Sequence, residues 1–215
     1  ETGIFTNYID APARSRRNRD VVLANPQHIK AVPGRKTDVK DCEWIADLLA
    51  HGLIRASFIP PAEIRELRDL TRHRKSLLRD RVTASNRVHK LLESSNIKLG
   101  SVVSDVFGVS GRAMLDALVA GERRPETLME LARGRLTRKS KELMACLTGR
   151  FNDHHAFLLD QILRQIDHIN SLIAQCDNRI VTMFKSHEDI VQRLTTIPGV
   201  GQRAAEVIVS EIGLD

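Results

Sequence analysis

The sequence of 215 residues predicts a mainly α-helical protein with a partial α/β part at the N-terminus and a coiled coil of long helices. Three observations support this fold class. Aromatic residues make up only 4% of the chain, while Leu, Ile, Arg and Ala are plentiful, which is typical of helices rather than β-sandwiches. Apolar residues recur at alternating steps of three and four between 159 and 183. A short apolar run, Val21–Ala24, precedes Asn25-Pro26, as expected for a short buried strand.

The charge distribution indicates which kind of molecule the protein binds, and the cysteine content indicates the redox state of its compartment. The net charge is +6, and the segment 65–90 holds nine Lys/Arg against three Asp/Glu, so an excess equal to that of the whole chain lies in one stretch. Such clustering favours an anionic polymer as the partner, and a solvated helix face is the other interpretation. Three scattered cysteines without a Cys-x-x-Cys motif favour a reducing cytoplasm. No apolar run is long enough to span a membrane, so we expect no membrane partner.

The N-terminal residues, 1–60, mix helical and extended patterns. We expect a short helix near 5–15, a strand at Val21–Ala24, and a second extended piece at His28–Val32 before the Pro33-Gly34 turn. A helix over 38–51 follows, and Ser57-Phe58-Ile59-Pro60-Pro61 marks a domain boundary. The apolar face of that helix is predicted to consist of Trp44, Ile45, Leu48 and Leu49.

Two carboxylates, Asp38 and Asp41, stand three residues apart at the start of this helix. Residues at this spacing share a helix face, and two acids there suit Mg²⁺, which prefers oxygen ligands. The neighbouring cations Arg35, Lys36 and Lys40 would meet a nucleic-acid backbone. An ordinary N-cap with a favourable first-turn charge explains the same spacing, so both interpretations are open.

A long basic helix is predicted from Ala62 to about Asn96. Its apolar stripe is expected to contain Ile64, Leu67, Leu78, Val82, Val88 and Leu92. The predicted nucleic-acid contacts on this helix are Arg65, Arg68, Arg72, Arg74, Lys75 and Arg79. A shorter helix beginning at Val109-Ser110-Gly111 follows in the region 100–121, and it contains Met114, Leu115 and Leu118.

A second long helix is predicted from about Arg138 to Lys185. Its regular seam of alternating three- and four-residue steps is formed by Leu159, Ile162, Ile166, Ile169, Ile173, Cys176, Ile180 and Met183. Such a seam indicates a left-handed coiled coil, although a plain core helix is an open alternative. The partner is either the helix at 62–96 or a second copy of the chain, which would make a homo-oligomer.

The last stretch, Leu194–Ala205, predicts a helix, a tight glycine turn and another helix. This pattern is typical of the helix-hairpin-helix motif, in which Gly199 and Gly201 let backbone N–H groups approach a phosphate and Arg203 adds a positive charge. A plain αα-hairpin has the same pattern. We therefore divide the chain into 1–60, a basic helix with a helical connector at 61–135, the coiled coil at 136–190, and a helix-hairpin-helix-like start of a further domain at 191–215.

Several of these segments together resemble one known family, the DEDD-type insertion-sequence transposases, which are relatives of the Piv-type DNA invertases. The segments that carry the resemblance are Ala24–Lys30, Pro33–Asp41, His51–Pro60, Arg65–Thr71, Gly111–Leu115 and Ile197–Gly201. The resemblance implies a RuvC-like (ribonuclease H-fold) domain, a coiled coil and a C-terminal transposase domain. It also implies Mg²⁺ bound by four acids in the order Asp, Glu, Asp, Asp.

The resemblance assigns the last two of these acids to Asp38 and Asp41. Glu1, in Glu1-Thr2-Gly3, resembles the second acid but lies one residue closer to its Thr-Gly than in the family. The first Asp and the family's C-terminal serine nucleophile have no counterpart here, so we expect a fragment that does not complete strand transfer by itself.

The resemblance implies DNA as the substrate, a bacterial or archaeal cytoplasm, and for some members a structured guide RNA. We therefore expect a Mg²⁺-dependent DNA transposase in the full-length protein. The alternative function is a non-catalytic basic coiled-coil protein that only binds nucleic acid.

Overall fold

The computed structural model of the chain describes residues 22–26, 29, 41–57 and 59–213, and for Asp41 it describes the backbone alone. The chain divides into two compact units, 1–61 and 62–215. Almost all regular structure in the described ranges is helical, which confirms the prediction of a mainly α protein. None of the helices in these ranges is both long and apolar enough to cross a membrane.

The first unit contains one described helix, α1 (Asp41–Ala50). Shortly after its last residue, Gly52 adopts a left-handed conformation (φ 66°), which glycine permits. The Leu53 N–H then donates to the Leu48 carbonyl at 2.9 Å and caps the C-terminal end of the helix. The predicted apolar face is confirmed in part: Leu48 is buried and Trp44 is half-buried, but Ile45 is 40% and Leu49 is 50% exposed. The predicted start at 38 lies outside the described residues.

In the described residues of the first unit, extended structure is limited to one bridge. In place of a strand at Val21–Ala24, the described residues form one antiparallel bridge between Ala24 and Ala56, beside a 2.7 Å bond from Ser57 N–H to the Leu23 carbonyl. The extended piece predicted at His28–Val32 is wrong at Ile29, which is helical and donates its N–H to the Asn25 carbonyl at 3.3 Å. Pro26 is helical as well, and its fixed φ suits a first helical turn. The helix near 5–15 lies outside the described residues, and the α/β architecture of this unit stays a prediction.

The second unit is built on two long helices, α2 (Ala62–Ser94) and α7 (Asp153–Phe184). They run antiparallel, because Arg74 contacts Asp177 while Arg87, further along α2, contacts Gln165. The seam of α7 packs against α2 of the same chain, so the partner helix is internal. Of the eight predicted seam residues, six are buried and Ile162 and Met183 are half-buried.

The apolar stripe of α2 differs in part from the prediction. Val82 is 55% exposed and Leu78 is only half-buried, whereas Leu77, Ala84 and Thr71 are buried. The stripe therefore passes through small and polar residues that a search for large apolar side chains overlooks.

The second long helix is shorter than predicted, because a loop at residues 148–152 interrupts the helical structure. The segment from Arg138 instead contains a 3₁₀ turn (Gly134–Lys139), the short helix α6 (Ser140–Leu147), and a loop. Asn152 then caps α7 by accepting the His155 N–H at 3.1 Å. At Gly149 a Cβ would lie 2.6 Å from the Ser95 carbonyl oxygen, so this loop passes against the end of α2 where only glycine fits without a shift.

Three other short helices precede α6 in the connection between the long ones: α3 (Leu99–Val102), α4 (Val109–Val119) and α5 (Pro125–Glu130). The helix α4 begins at Val109, as predicted, and its residues Met114, Leu115 and Leu118 are buried in the larger hydrophobic core. Two helices end the unit, α8 (Glu188–Thr195) and α9 (Gln202–Ile212). A second core, containing Ile64, Leu67, Ile180, Phe184 and Val209, joins α9 to both long helices.

Candidate nucleic-acid interface

The predicted metal-binding residues are only partly within the described structure. Glu1, Arg35, Lys36, Asp38 and Lys40 lie outside it, and Asp41 is the first residue of α1. In the part of the chain that the structure describes, no group of three or more His, Cys, Asp or Glu side chains is arranged to hold a metal. The Asp38–Asp41 pair thus stays a prediction that rests on spacing and resemblance.

Arg68, which was predicted to bind phosphate, instead contacts the C-terminal end of α9. Its Nε donates to the Ser210 carbonyl at 3.0 Å, and its Nη2 donates to the Glu211 carbonyl at 2.8 Å. Its side chain is 22% exposed. Carbonyls in the last turn of a helix lack helical partners and carry partial negative charge, so a guanidinium there stabilises the helix end.

The next arginine on this face, Arg72, forms a two-bond ion pair with the Glu211 carboxylate, at 2.9 and 2.8 Å. This pairing lowers the pKa of Glu211, chiefly through the hydrogen bonds from Arg72. Just beside it, the buried hydroxyls of Thr71 and Ser210 are 3.1 Å apart. Together these contacts attach α9 to α2.

A third group of charges links α2, α7 and α9 through Asp177. Its Oδ1 accepts from Arg74 Nε at 2.5 Å and lies 3.0 Å from Arg203 Nη2. The other nitrogen of Arg203, Nη1, donates to Glu206, which is buried and also accepts from Gln202 at 3.1 Å. The Asp177 carboxylate therefore pairs with one arginine of α2, Arg74, and one of α9, Arg203.

The remaining predicted contacts on α2 differ from these. Arg65 is half-buried, whereas Lys75 and Arg79 are exposed. Within the described ranges, Arg79 has no side-chain ion pair or hydrogen bond. The structure therefore uses Arg68, Arg72, Arg74 and Arg203 for internal contacts, and leaves Arg79 to solvent. Sequence reasoning missed this because the acidic and carbonyl partners lie more than 100 residues away from the α2 arginines.

The glycine turn before α9 has the predicted form. Gly199 has φ 89°, a left-handed conformation, and Gly201 is the N-cap of α9. The Val200 N–H donates to the Ile197 carbonyl at 3.0 Å, and no side chain caps the helix. A Cβ at either glycine would meet open space, so no neighbouring atom requires glycine at these positions. At Gly199 the reason for glycine is the left-handed backbone, which residues with a side chain rarely adopt.

A further set of cations, not singled out in the sequence analysis, lies on the connector between α5 and α6 and on the first turn of α6. We call it the connector surface; it comprises Arg135, Arg138, Lys139 and Lys141. All four side chains are exposed and, in the described part of the chain, none has an ion-pair or hydrogen-bond partner. Arg135 and Lys139 line a concave pocket of about 540 Å³ between the start of α4 and the 3₁₀ turn. The signal in the sequence was five Lys/Arg between 133 and 141 without an acid.

Comparison with known proteins confirms the resemblance. The family model of the DEDD transposases of IS110 type, described as a transposase, matches residues 13–97. The transposase for insertion sequence element IS1328 of Yersinia enterocolitica is 25% identical over 208 residues, which cover 93% of this chain and 50% of that protein.

The chain spans about half the length of this curated relative. No solved structure matches the chain significantly. The family match includes Asp38, Asp41 and α2, and the relative aligns along nearly the whole chain. The chain is therefore similar to the DEDD-type insertion-sequence transposases of IS110 type over residues 13–97, and to one curated transposase along nearly its whole length.

Proposed function

We propose that the chain acts as part of a DNA transposase, in which Mg²⁺-dependent cleavage and transfer of DNA strands depends on Asp38 and Asp41. The observation that carries this proposal is the family match over residues 13–97, which includes both aspartates and the start of the basic helix α2. The name of the aligned relative, a transposase, agrees with it. The alternative of a non-catalytic binding protein has no observation of its own in its favour.

The donor set fits a hard divalent cation. Two carboxylates supply oxygen ligands, which Mg²⁺ prefers, and one of them, Asp41, is the first residue of α1. When bound, the ion would polarise phosphate oxygens and neutralise charge that develops during strand cleavage. The chain's own contribution would be to hold the two carboxylates ionised, while Arg35, Lys36 and Lys40 contact the adjoining phosphates. Glu1 lies outside the matched range, so its assignment rests on the sequence resemblance alone.

The finer architecture belongs to the same proposal. We assign residues 1–60 to a RuvC-like domain, the antiparallel pair of α2 and α7 to the coiled coil, and residues 191–215 to a helix-hairpin-helix-like start of the transposase domain. Because α2 already covers the seam of α7, a homo-oligomer would need another surface. A structured guide RNA, which the resemblance implies for some members, would suit the exposed cations of the basic helix α2.

The test replaces both acids, Asp38→Asn with Asp41→Asn, in the full-length protein. We expect loss of recombination on a plasmid substrate and loss of Mg²⁺ binding by calorimetry, with an unchanged circular dichroism spectrum. The matched control is Asp47→Asn, which removes the same charge from an exposed position on α1 and should retain both activities. Recombination at the wild-type rate in the double variant would contradict the proposal and favour the binding-only alternative.

A further inference from the structure

The strongest unassigned feature of the described structure is the distribution of unpaired positive charge. On α2 the arginines that the sequence marked as phosphate contacts are largely engaged with Glu211, Asp177 and backbone carbonyls. A cation already held by a carboxylate gains less from a phosphate, because it must give up the first partner. The connector surface has no such partners in the described ranges. Its charge is therefore available to an anionic ligand.

The connector surface is also a built, concave feature rather than a loose loop. The Arg133 N–H donates to Ser110 Oγ at 2.9 Å, which fixes the 3₁₀ turn against the start of α4. At Gly111 a Cβ would lie 2.3 Å from the Val106 carbonyl oxygen, so α4 packs directly on the chain that precedes it. Buried Ala132 and Leu128 anchor the turn from below. These contacts hold Arg135 and Lys139 along one wall of the pocket, and Arg138 and Lys141 are exposed beside them in sequence.

The chemistry of the pocket selects among anionic partners. No aromatic residue lines it, so it offers no platform for stacking unpaired bases. The acid that lines it, Asp105, accepts the Phe107 N–H at 2.9 Å. Exposed cations without base-stacking groups suit the regularly spaced phosphates of a duplex, which positions a protein without reading its sequence.

We propose that the connector surface, Arg135, Arg138, Lys139 and Lys141, docks the phosphate backbone of duplex DNA. This inference rests on the proposed function, since it names a second place where a transposase holds its substrate. It lies outside the family match at residues 13–97, and it shifts the main DNA contact away from most of the α2 arginines.

The experiment compares two triple variants of equal charge in the full chain. Arg135→Gln/Arg138→Gln/Lys139→Gln removes three cations of the connector surface. Arg164→Gln/Arg179→Gln/Lys185→Gln removes three exposed cations on and beside α7 and serves as the control. Binding to a labelled duplex of mixed sequence is measured by fluorescence anisotropy from 50 to 300 mM salt, and circular dichroism checks the fold.

We expect the connector variant to lose roughly tenfold or more in affinity at 0.1 M salt, and to reduce the slope of log K against log salt by about 2–3, because each lost phosphate contact removes about 0.9. The control should change the affinity and slope much less. Equal losses in both variants would overturn the proposal in favour of a non-specific charge effect. A loss confined to a hairpin RNA probe would overturn it in favour of RNA. Wild-type chain that binds no duplex at all would count against the proposed function as well, whereas DNA binding that is insensitive to the connector variant would refute only this inference.

Discussion

The assignment of Arg68 to the protein interior, rather than to nucleic acid, has a measurable consequence for stability. Replacing Arg68 by Met keeps most of the apolar stem but removes two charged hydrogen bonds to the Ser210 and Glu211 carbonyls, at 3.0 and 2.8 Å. Hydrogen bonds to a charged group contribute about 1.5–3 kcal/mol each in net terms. Because the side chain remains 22% exposed, water can replace part of each bond, and we expect a total loss of about 2–3 kcal/mol in the free energy of unfolding.

Urea denaturation followed by circular dichroism measures this loss as a lower midpoint at an unchanged m-value. The matched control is Arg79→Met on the same helix, whose exposed side chain has no partner in the described structure and should stay within about 0.5 kcal/mol of wild type. If Arg68→Met behaves like this control in urea but weakens DNA binding, then the arginine serves the nucleic acid and the internal assignment is wrong.

Two further predictions concern packing and pH. Gly111→Ala should lower the free energy of unfolding by about 1–3 kcal/mol, because the new methyl group meets the Val106 backbone. The control is Gly100→Ala, which should be nearly neutral because its new methyl group has only ordinary contacts 3.5 Å or more away. Thermal melting compares the two variants, and equal melting temperatures would contradict the packing argument. Arg72 holds the pKa of Glu211 below its usual 4.5, so the contribution of this pair is complete above pH 4.5 and is lost as the pH falls through the lower folded-state pKa. Between pH 5 and pH 3 the urea midpoint of wild type should therefore fall more steeply than that of Glu211→Gln, and parallel pH profiles would show that the pair does not contribute.

Local sequence patterns predicted the helices well where a helix's own period decides its structure. Six seam residues between Leu159 and Ile180 are buried, because a regular three-and-four spacing places those side chains on one face, whatever the partner is. The same reasoning predicted the helix α4, which begins at Val109. It failed at 148–152, where the chain leaves the helix to pack Gly149 against the end of α2. The Thr148-Gly149 pair and the Asn152-Asp153 cap were local signals of that break, and the strong periodicity downstream obscured them.

The candidate site was harder to predict because a sequence does not show which partner each charged side chain contacts. Counting Lys and Arg between 65 and 90 found the correct excess, but a count cannot show that Asp177 and the end of α9 lie against that helix. Pairing over more than 100 residues depends on the antiparallel packing of α2 and α7, and that packing follows from apolar side chains rather than from the charges.

The pairing changes which cations can act on a partner. An arginine with two good internal bonds is a structural residue first, and a phosphate must compete with those bonds for it. A cation on the short 3₁₀ turn has no such competitor among the described residues, although its segment contains fewer charges than α2. The capacity of this chain to hold DNA should therefore follow the unpaired charge of each element rather than its total charge. On that basis the connector between the long helices, and not the most basic helix, is the place where loss of charge should weaken DNA binding most.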